Sequence, residues 1–130
     1  NAYNLQNVYD LAMADFSRAV ELNPNSPLIY NNRGNLFASL EQWPQALDDY
    51  TKAIQLGNLV QAYLNRAMVY EIQNEYRKAI ADYTSLIDLN AQNGELYFRR
   101  ALCYEKLNET ANARRDFLRA EALGFPGTGH

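Results

Sequence analysis

The sequence predicts an all-α fold of antiparallel helix hairpins stacked into a solenoid. Two observations carry this. The stretch from Tyr63 to Leu89, YLNRAMVYEIQNEYRKAIADYTSLIDL, reads as two short amphipathic helices facing each other across a turn near Gln73 and Asn74. Its landmarks Tyr63, Ala67, Tyr70, Tyr76, Ala79 and Tyr83 recur upstream as Tyr30, Gly34, Phe37, Trp43, Ala46 and Tyr50, and downstream as Tyr97, Ala101, Tyr104, Ala113 and Phe117. The offsets are 33 and 34 residues, and a fixed period of this size signals a helical repeat array. Small residues such as Gly34 and Ala46 let two helix backbones approach, and the aromatics fill the volume around them. One hairpin cannot bury its apolar face alone, so it stacks on the next.

Taken in order, Asn1 to Gln6 reads as the end of an interrupted helix, with Tyr3 in the aromatic slot and further repeats expected upstream. Val8 to Leu22 is the next helix, with Ala12, Phe16 and Ala19 inward at helical spacing. Residues 1–24 thus form a truncated repeat. Ser26 is placed to cap the following helix, with Pro27 at its first position. Leu28 to Leu40 and Pro44 to Leu56 form a repeat over 27–57, closed by Gly57 as C-cap. Leu59 to Gln73 and Glu75 to Leu89 form one over 59–91, and Glu95 to Leu107 with Thr110 to Leu123 form a terminal one over 94–123. These repeats are read as a single domain over 1–123. Gly124 ends the last helix, and 124–130 is expected to be a flexible tail.

The last repeat differs on one face. A slot beside the Ala landmark reads Met13, Leu47, Ile80, then Arg114; seven residues on, it reads Val20, Ile54, Ile87, then Glu121. Seven residues is about two turns, so both slots share a face. Terminal repeats need a polar outer face, which assigns Thr110 to Leu123 to a solvent-facing end.

With 130 residues, 48% of them apolar and 21% charged, the chain suits a soluble globular domain. A net charge of −3 draws it towards neither nucleic acid nor an anionic membrane. No apolar run approaches the roughly 20 residues that span a bilayer, so no membrane insertion is expected. The single Cys103 cannot form an internal disulfide, which favours a reducing, cytoplasmic setting. It sits between Leu102 and Tyr104 and reads as a core thiol rather than a nucleophile. His130, last in a Gly-rich tail, reads as solvated. There is no phosphate-cradling loop, no metal-spaced His or Cys cluster and no Ser-His-Asp set, so no enzyme activity, cofactor or metal is expected.

Charges repeat with the aromatics. Arg33, Arg66 and Arg100 precede the small residue, and Asp15, Asp49, Asp82 and Asp116 precede the second-helix aromatic. An Arg fork holds a carboxylate bidentately, so these read as structural pairs within or between repeats, with an anion site as the alternative.

An aromatic, a small residue, an aromatic, then Ala and Phe or Tyr is the pattern of the tetratricopeptide repeat, which YNNRGNLF and WPQALDDY resemble closely. There are departures: Arg fills the slot usually held by Leu, the closing Pro appears only as Pro24, and Leu86 stands where other repeats have Ala19, Ala53 and Ala120. The resemblance implies a right-handed superhelix whose first helices line a concave groove that takes an extended peptide or a partner helix. Carried over, the groove slots point to Asn31, Asn32, Asn35, Leu64, Asn65, Met68, Phe98 and Arg99 as peptide-binding residues.

Asparagine is a poor helix former, and Asn31, Asn32 and Asn35 are spaced to share a face. An amide there both donates to and accepts from a peptide backbone. The plainer reading is a solvated helix face. Leu64, Met68, Phe98 and Leu102 supply an apolar half, unless they turn into the hairpin core. The function implied is a non-enzymatic protein-protein interaction module. Two alternatives remain. One is a structural element that self-assembles by stacking repeats. The other is a co-chaperone-like clamp for a C-terminal carboxylate, whose slots here hold Asn31, Asn35, Asn65, Glu95 and Arg99. Both of that clamp's lysines are absent, and Glu95 would repel a carboxylate.

Overall fold

The computed structural model describes residues 2–125, with side chains from residue 5 onward. Among these it contains seven α-helices and no strand: α1 (Ala2–Leu22), α2 (Pro27–Ser39), α3 (Trp43–Gly57), α4 (Val60–Ile72), α5 (Tyr76–Leu89), α6 (Gly94–Lys106) and α7 (Thr110–Ala122). The fold is all-α, as the period requires. The chain divides into two compact units, Asn1–Asn65 and Arg66–His130, with α4 leaving the first as it enters the second.

The first unit begins with a correction. The break expected between Gln6 and Val8 is absent, and α1 is one helix of 21 residues. Neither Gly nor Pro interrupts this stretch, and Asn7 alone costs too little to end a helix. The side chain of Tyr3 lies outside the described residues. Leu5, Val8 and Leu11 are exposed on α1.

Ser26 caps α2 as expected: its Oγ accepts from the Ile29 N–H, and Pro27 occupies the first turn. Tyr30, Ala53 and Ala62 form one buried cluster, packed by Val20, Ile54, Leu56 and Leu59. Gly57 is the last residue of α3 rather than its cap, and Asn58 takes the left-handed position at φ 50°. The side-chain amide of Asn tolerates that conformation. Gly57 is needed for another reason, since a Cβ there would meet Pro27 Cγ at 2.7 Å.

In the second unit, Ala79, Tyr83, Leu86 and Ile87 of α5 are buried. Leu86, which departs from the Ala of other repeats, is itself a core residue. Ala101, Ala113 and Phe117 form a cluster with Phe98, Leu102 and Tyr104 around it. Leu102 therefore belongs to the core rather than to an outer face.

One turn recurs wherever a hairpin closes. Glu41, Asn74 and Asn108 take positive φ of 57°, 61° and 60°. Each donates its N–H three residues back, and the next N–H reaches five residues back, as in Gln42 to the Phe37 carbonyl at 2.9 Å. This is the Schellman arrangement, which satisfies the last carbonyls of the first helix. It returns after α7 with Gly124 at φ 85°. There the Phe125 N–H bonds the Ala120 carbonyl, and the Phe125 ring lies 5.0 Å from that of Phe98. Phe125 is thus docked, contrary to the loose tail expected from 124 onward; 126–130 lie outside the described residues.

On α7, Arg114 and Glu121 are exposed, whereas Ile80 and Ile87 of α5 in the same slots are buried. The polar pair faces outward. With Glu105, Thr110, Ala113, Phe117 and Leu118 it lines a hollow of about 660 Å³.

Candidate functional site

The repeating charges resolve first. Arg33 bonds Asp49 bidentately at 2.7 and 2.8 Å, Arg66 bonds Asp82 at 2.9 and 2.6 Å, and Arg100 bonds Asp116 at 2.7 and 2.8 Å. Each pair joins the two helices of one hairpin. The aspartates are buried, Asp116 to 1% exposure. Each guanidinium also lies over aromatics of its own helix: Arg33 over Tyr30 and Phe37, Arg66 over Tyr70, and Arg100 over Tyr97 and Tyr104. This explains the departure from Leu. The flat cation fills the slot against rings, and its fork finds a carboxylate. The bond to Asp116 outweighs burial and pushes the Arg100 guanidinium up, as Asp49 does for Arg33. A further Arg100 N–H bonds Thr84 Oγ1 at 3.0 Å, tying α6 to α5. These pairs are structural. Asp15 lies exposed on α1.

The first unit gathers three of the predicted asparagines. Asn65 of α4 donates its side-chain N–H₂ to Asn31 Oδ1 and to Asn35 Oδ1, both at 3.1 Å. Tyr50 of α3 donates its hydroxyl to the same Asn35 oxygen at 2.6 Å. Asn31 is 4% exposed, while Asn35 and Asn32 are exposed. Leu64 and Asn65 are half-buried. Asn32 is not part of this network. Tyr50 was legible only as a core aromatic. The signal for more is its slot, which reads Phe16, Tyr50, Tyr83 and Phe117: a ring suffices there, so a hydroxyl asks for a reason.

The second unit holds Met68, Phe98 and Arg99. Met68 is 41% exposed on α4. Phe98 turns its ring onto Phe117, edge to face at 5.6 Å, and onto Phe125. It therefore supports the α6–α7 hairpin and keeps only part of its surface for an outside ligand. Arg99 is engaged by Glu95 one turn earlier, Nε to Oε2 at 3.0 Å. Burial opposes its charge, but Glu95 and Tyr83 more than offset it and its guanidinium is pushed up. Tyr83 donates its hydroxyl to Glu71. Burial first, then Glu71, pushes the Cys103 thiol up to about 12, so it is an inert core group rather than a nucleophile. Among the described residues no group of His, Cys, Asp and Glu is arranged to hold a metal ion.

Family models for the tetratricopeptide repeat match residues 1–41, 27–56 and 64–126. The chain belongs to the tetratricopeptide repeat family. It is 29% identical over 139 residues to tetratricopeptide repeat protein 13 of Homo sapiens, covering 95% of this chain and 16% of that protein. It is 27% identical over 115 residues to serine/threonine-protein phosphatase 5 of Homo sapiens, covering 88% of this chain and 23% of that one. The chain thus spans under a quarter of the length of these relatives. Its fold is similar to that of the MamA protein, with a TM-score of 0.82 and 24% identity over 93% of this chain and 67% of that one. It is also similar to the first such domain of Spaghetti (RPAP3), solved with the HSP90 peptide SRMEEVD: TM-score 0.69, 24% identity, 76% of this chain and 79% of that one.

Proposed function

We propose that this chain is a non-enzymatic protein-protein interaction module that binds an extended peptide or a partner helix. In this reading Asn31, Asn32, Asn35, Leu64 and Asn65 are the peptide-binding residues of the first unit, and Met68, Phe98 and Arg99 are those of the second, each unit taken by itself. The observation that carries it is the asparagine network of the first unit. Three poor helix formers on the first helices of two hairpins cost a few tenths of a kcal/mol each in helix propensity. They hold one another in place while Asn35 remains open to solvent. A merely solvated face would need no such network. Family membership supports the same class, and the similar domain of Spaghetti (RPAP3) was solved bound to an HSP90 peptide. No helix among the described residues is long and apolar enough to cross a membrane. The single buried thiol suits a cytoplasmic setting.

A clamp for a terminal carboxylate is a weaker reading, because Glu95 already occupies Arg99. Selection from a displayed random-peptide library, followed by calorimetry with the best peptide, tests the proposal. Asn65→Ala should weaken that peptide by about 1 kcal/mol or more, roughly fivefold or greater. Met68→Ala should weaken it through lost apolar contact. Unchanged affinity in both variants places the site elsewhere. Failure to select any peptide, with a mass that rises with concentration, favours the self-assembling alternative.

A further inference from the structure

The direction of the asparagine network follows from Tyr50. Its ring is 2% exposed and lies so close to α2 that a Cβ on Gly34 would come within 2.8 Å of Cε1. The absent side chain at Gly34 is what brings the hydroxyl to the next residue, Asn35. A buried hydroxyl must place its proton on an acceptor. Burial, reinforced by the charge of Asp49, pushes the Tyr50 phenol up to about 12, so it remains a donor at neutral pH. Asn35 is thereby fixed with Oδ1 inward. That oxygen, with Asn31 Oδ1, receives the N–H₂ of Asn65. Turning the Asn65 amide over would set its oxygen against that of Asn35 and lose that bond, whereas Asn31, held in this network by Asn65 alone, would turn with it.

The network leaves three amide atoms unused: Asn31 Nδ2, on a residue only 4% exposed, and, on the more open Asn35 and Asn65, Asn35 Nδ2, a donor, and Asn65 Oδ1, an acceptor. A peptide unit carries the complementary pair, a carbonyl and an N–H. A free carboxylate carries acceptors only and meets the Asn65 oxygen unfavourably. We propose that Tyr50 is a positioning residue that sets the polarity of the Asn31–Asn35–Asn65 network, so that the first unit takes a main-chain amide in preference to a terminal carboxylate. The selectivity rests on the peptide-binding reading above; the polarity does not.

Tyr50→Phe removes only the hydroxyl, and Phe16 and Phe117 occupy the same slot in other repeats, so the variant should keep wild-type circular dichroism. The first measurement needs no ligand. Hydrogen exchange of the side-chain amides in ¹⁵N-asparagine-labelled protein should be slower at Asn65 than at Asn35. Tyr50→Phe should narrow the difference. The reverse order in wild type overturns the assigned polarity.

The second measurement passes two pools of N-acetylated random decapeptides over immobilised protein, one C-amidated and one with a free carboxylate. Wild type should favour the amidated pool by about fivefold, the worth of one mismatched hydrogen bond, and Tyr50→Phe should bring the ratio towards one. Preference for the free-acid pool by wild type, or a ratio unmoved in Tyr50→Phe, overturns the selectivity. Retention of neither pool, with the exchange order as expected, overturns the peptide reading and leaves the orienting role of Tyr50 standing.

Discussion

Replacing Asp116 by Ala should destabilise the protein more than any surface substitution. Asp116 is 1% exposed and accepts both bonds of the Arg100 fork. Removing one partner of a buried pair costs about 3–5 kcal/mol, because the other charge is left without compensation. Arg100 softens this. Its side chain keeps 13% exposure, and it retains Thr84 and the rings of Tyr97 and Tyr104. A loss of about 3 kcal/mol is therefore expected, at the lower end of that range. For a chain of this size it corresponds to a fall of roughly 10 °C in Tm. Asp88→Ala, at an exposed position without the repeating slot, is the control and should shift Tm by less than about 2 °C. The double variant Arg100→Met with Asp116→Leu should lie well above the single Asp116→Ala, since apolar replacements leave no orphaned charge. Thermal unfolding followed at 222 nm measures all three. Equal Tm for Asp116→Ala and Asp88→Ala, or a double variant less stable than the single one, would refute the reasoning.

Other outcomes follow from particular residues. Glu41→Gly should stabilise by about 1 kcal/mol, because Glu41 alone among the three hairpin turns places a residue other than Asn at positive φ; denaturant titration checks this. Gly57→Ala should destabilise despite the better helix propensity of Ala, since its Cβ would strike the rigid Pro27 ring; a raised Tm would show that the contact yields. Cys103 should resist iodoacetamide at pH 8 in the folded protein and react on unfolding. Its folded pKa of about 12 lies above the ordinary value of 9.0, so the folded state holds its proton longer. Its contribution to stability is therefore complete below pH 9 and is lost as pH rises towards 12. Rapid labelling of the native thiol at pH 8 would contradict its burial.

Much of this was legible in the sequence, because a repeat writes the same packing problem several times over. The period and the small-aromatic spacing determined the hairpins. The matched Arg and Asp slots determined the ion pairs, since a bidentate fork and a carboxylate recurring together have few other uses. Asn31, Asn35 and Asn65 were visible as amides on shared faces. The helical continuity of α1 was legible too, in the absence of any strong breaker between Gln6 and Val8. Two things needed the tertiary structure. Phe98 was a groove slot by position, yet a left-handed Gly124 brings Phe125 back over it and draws its ring into the hairpin. The asparagine network needed the hydroxyl of Tyr50, delivered across two helices by the bare backbone of Gly34. Sequence spacing states which face a side chain occupies. It does not state which of two amide ends points outward, because that choice is made by a proton on another helix.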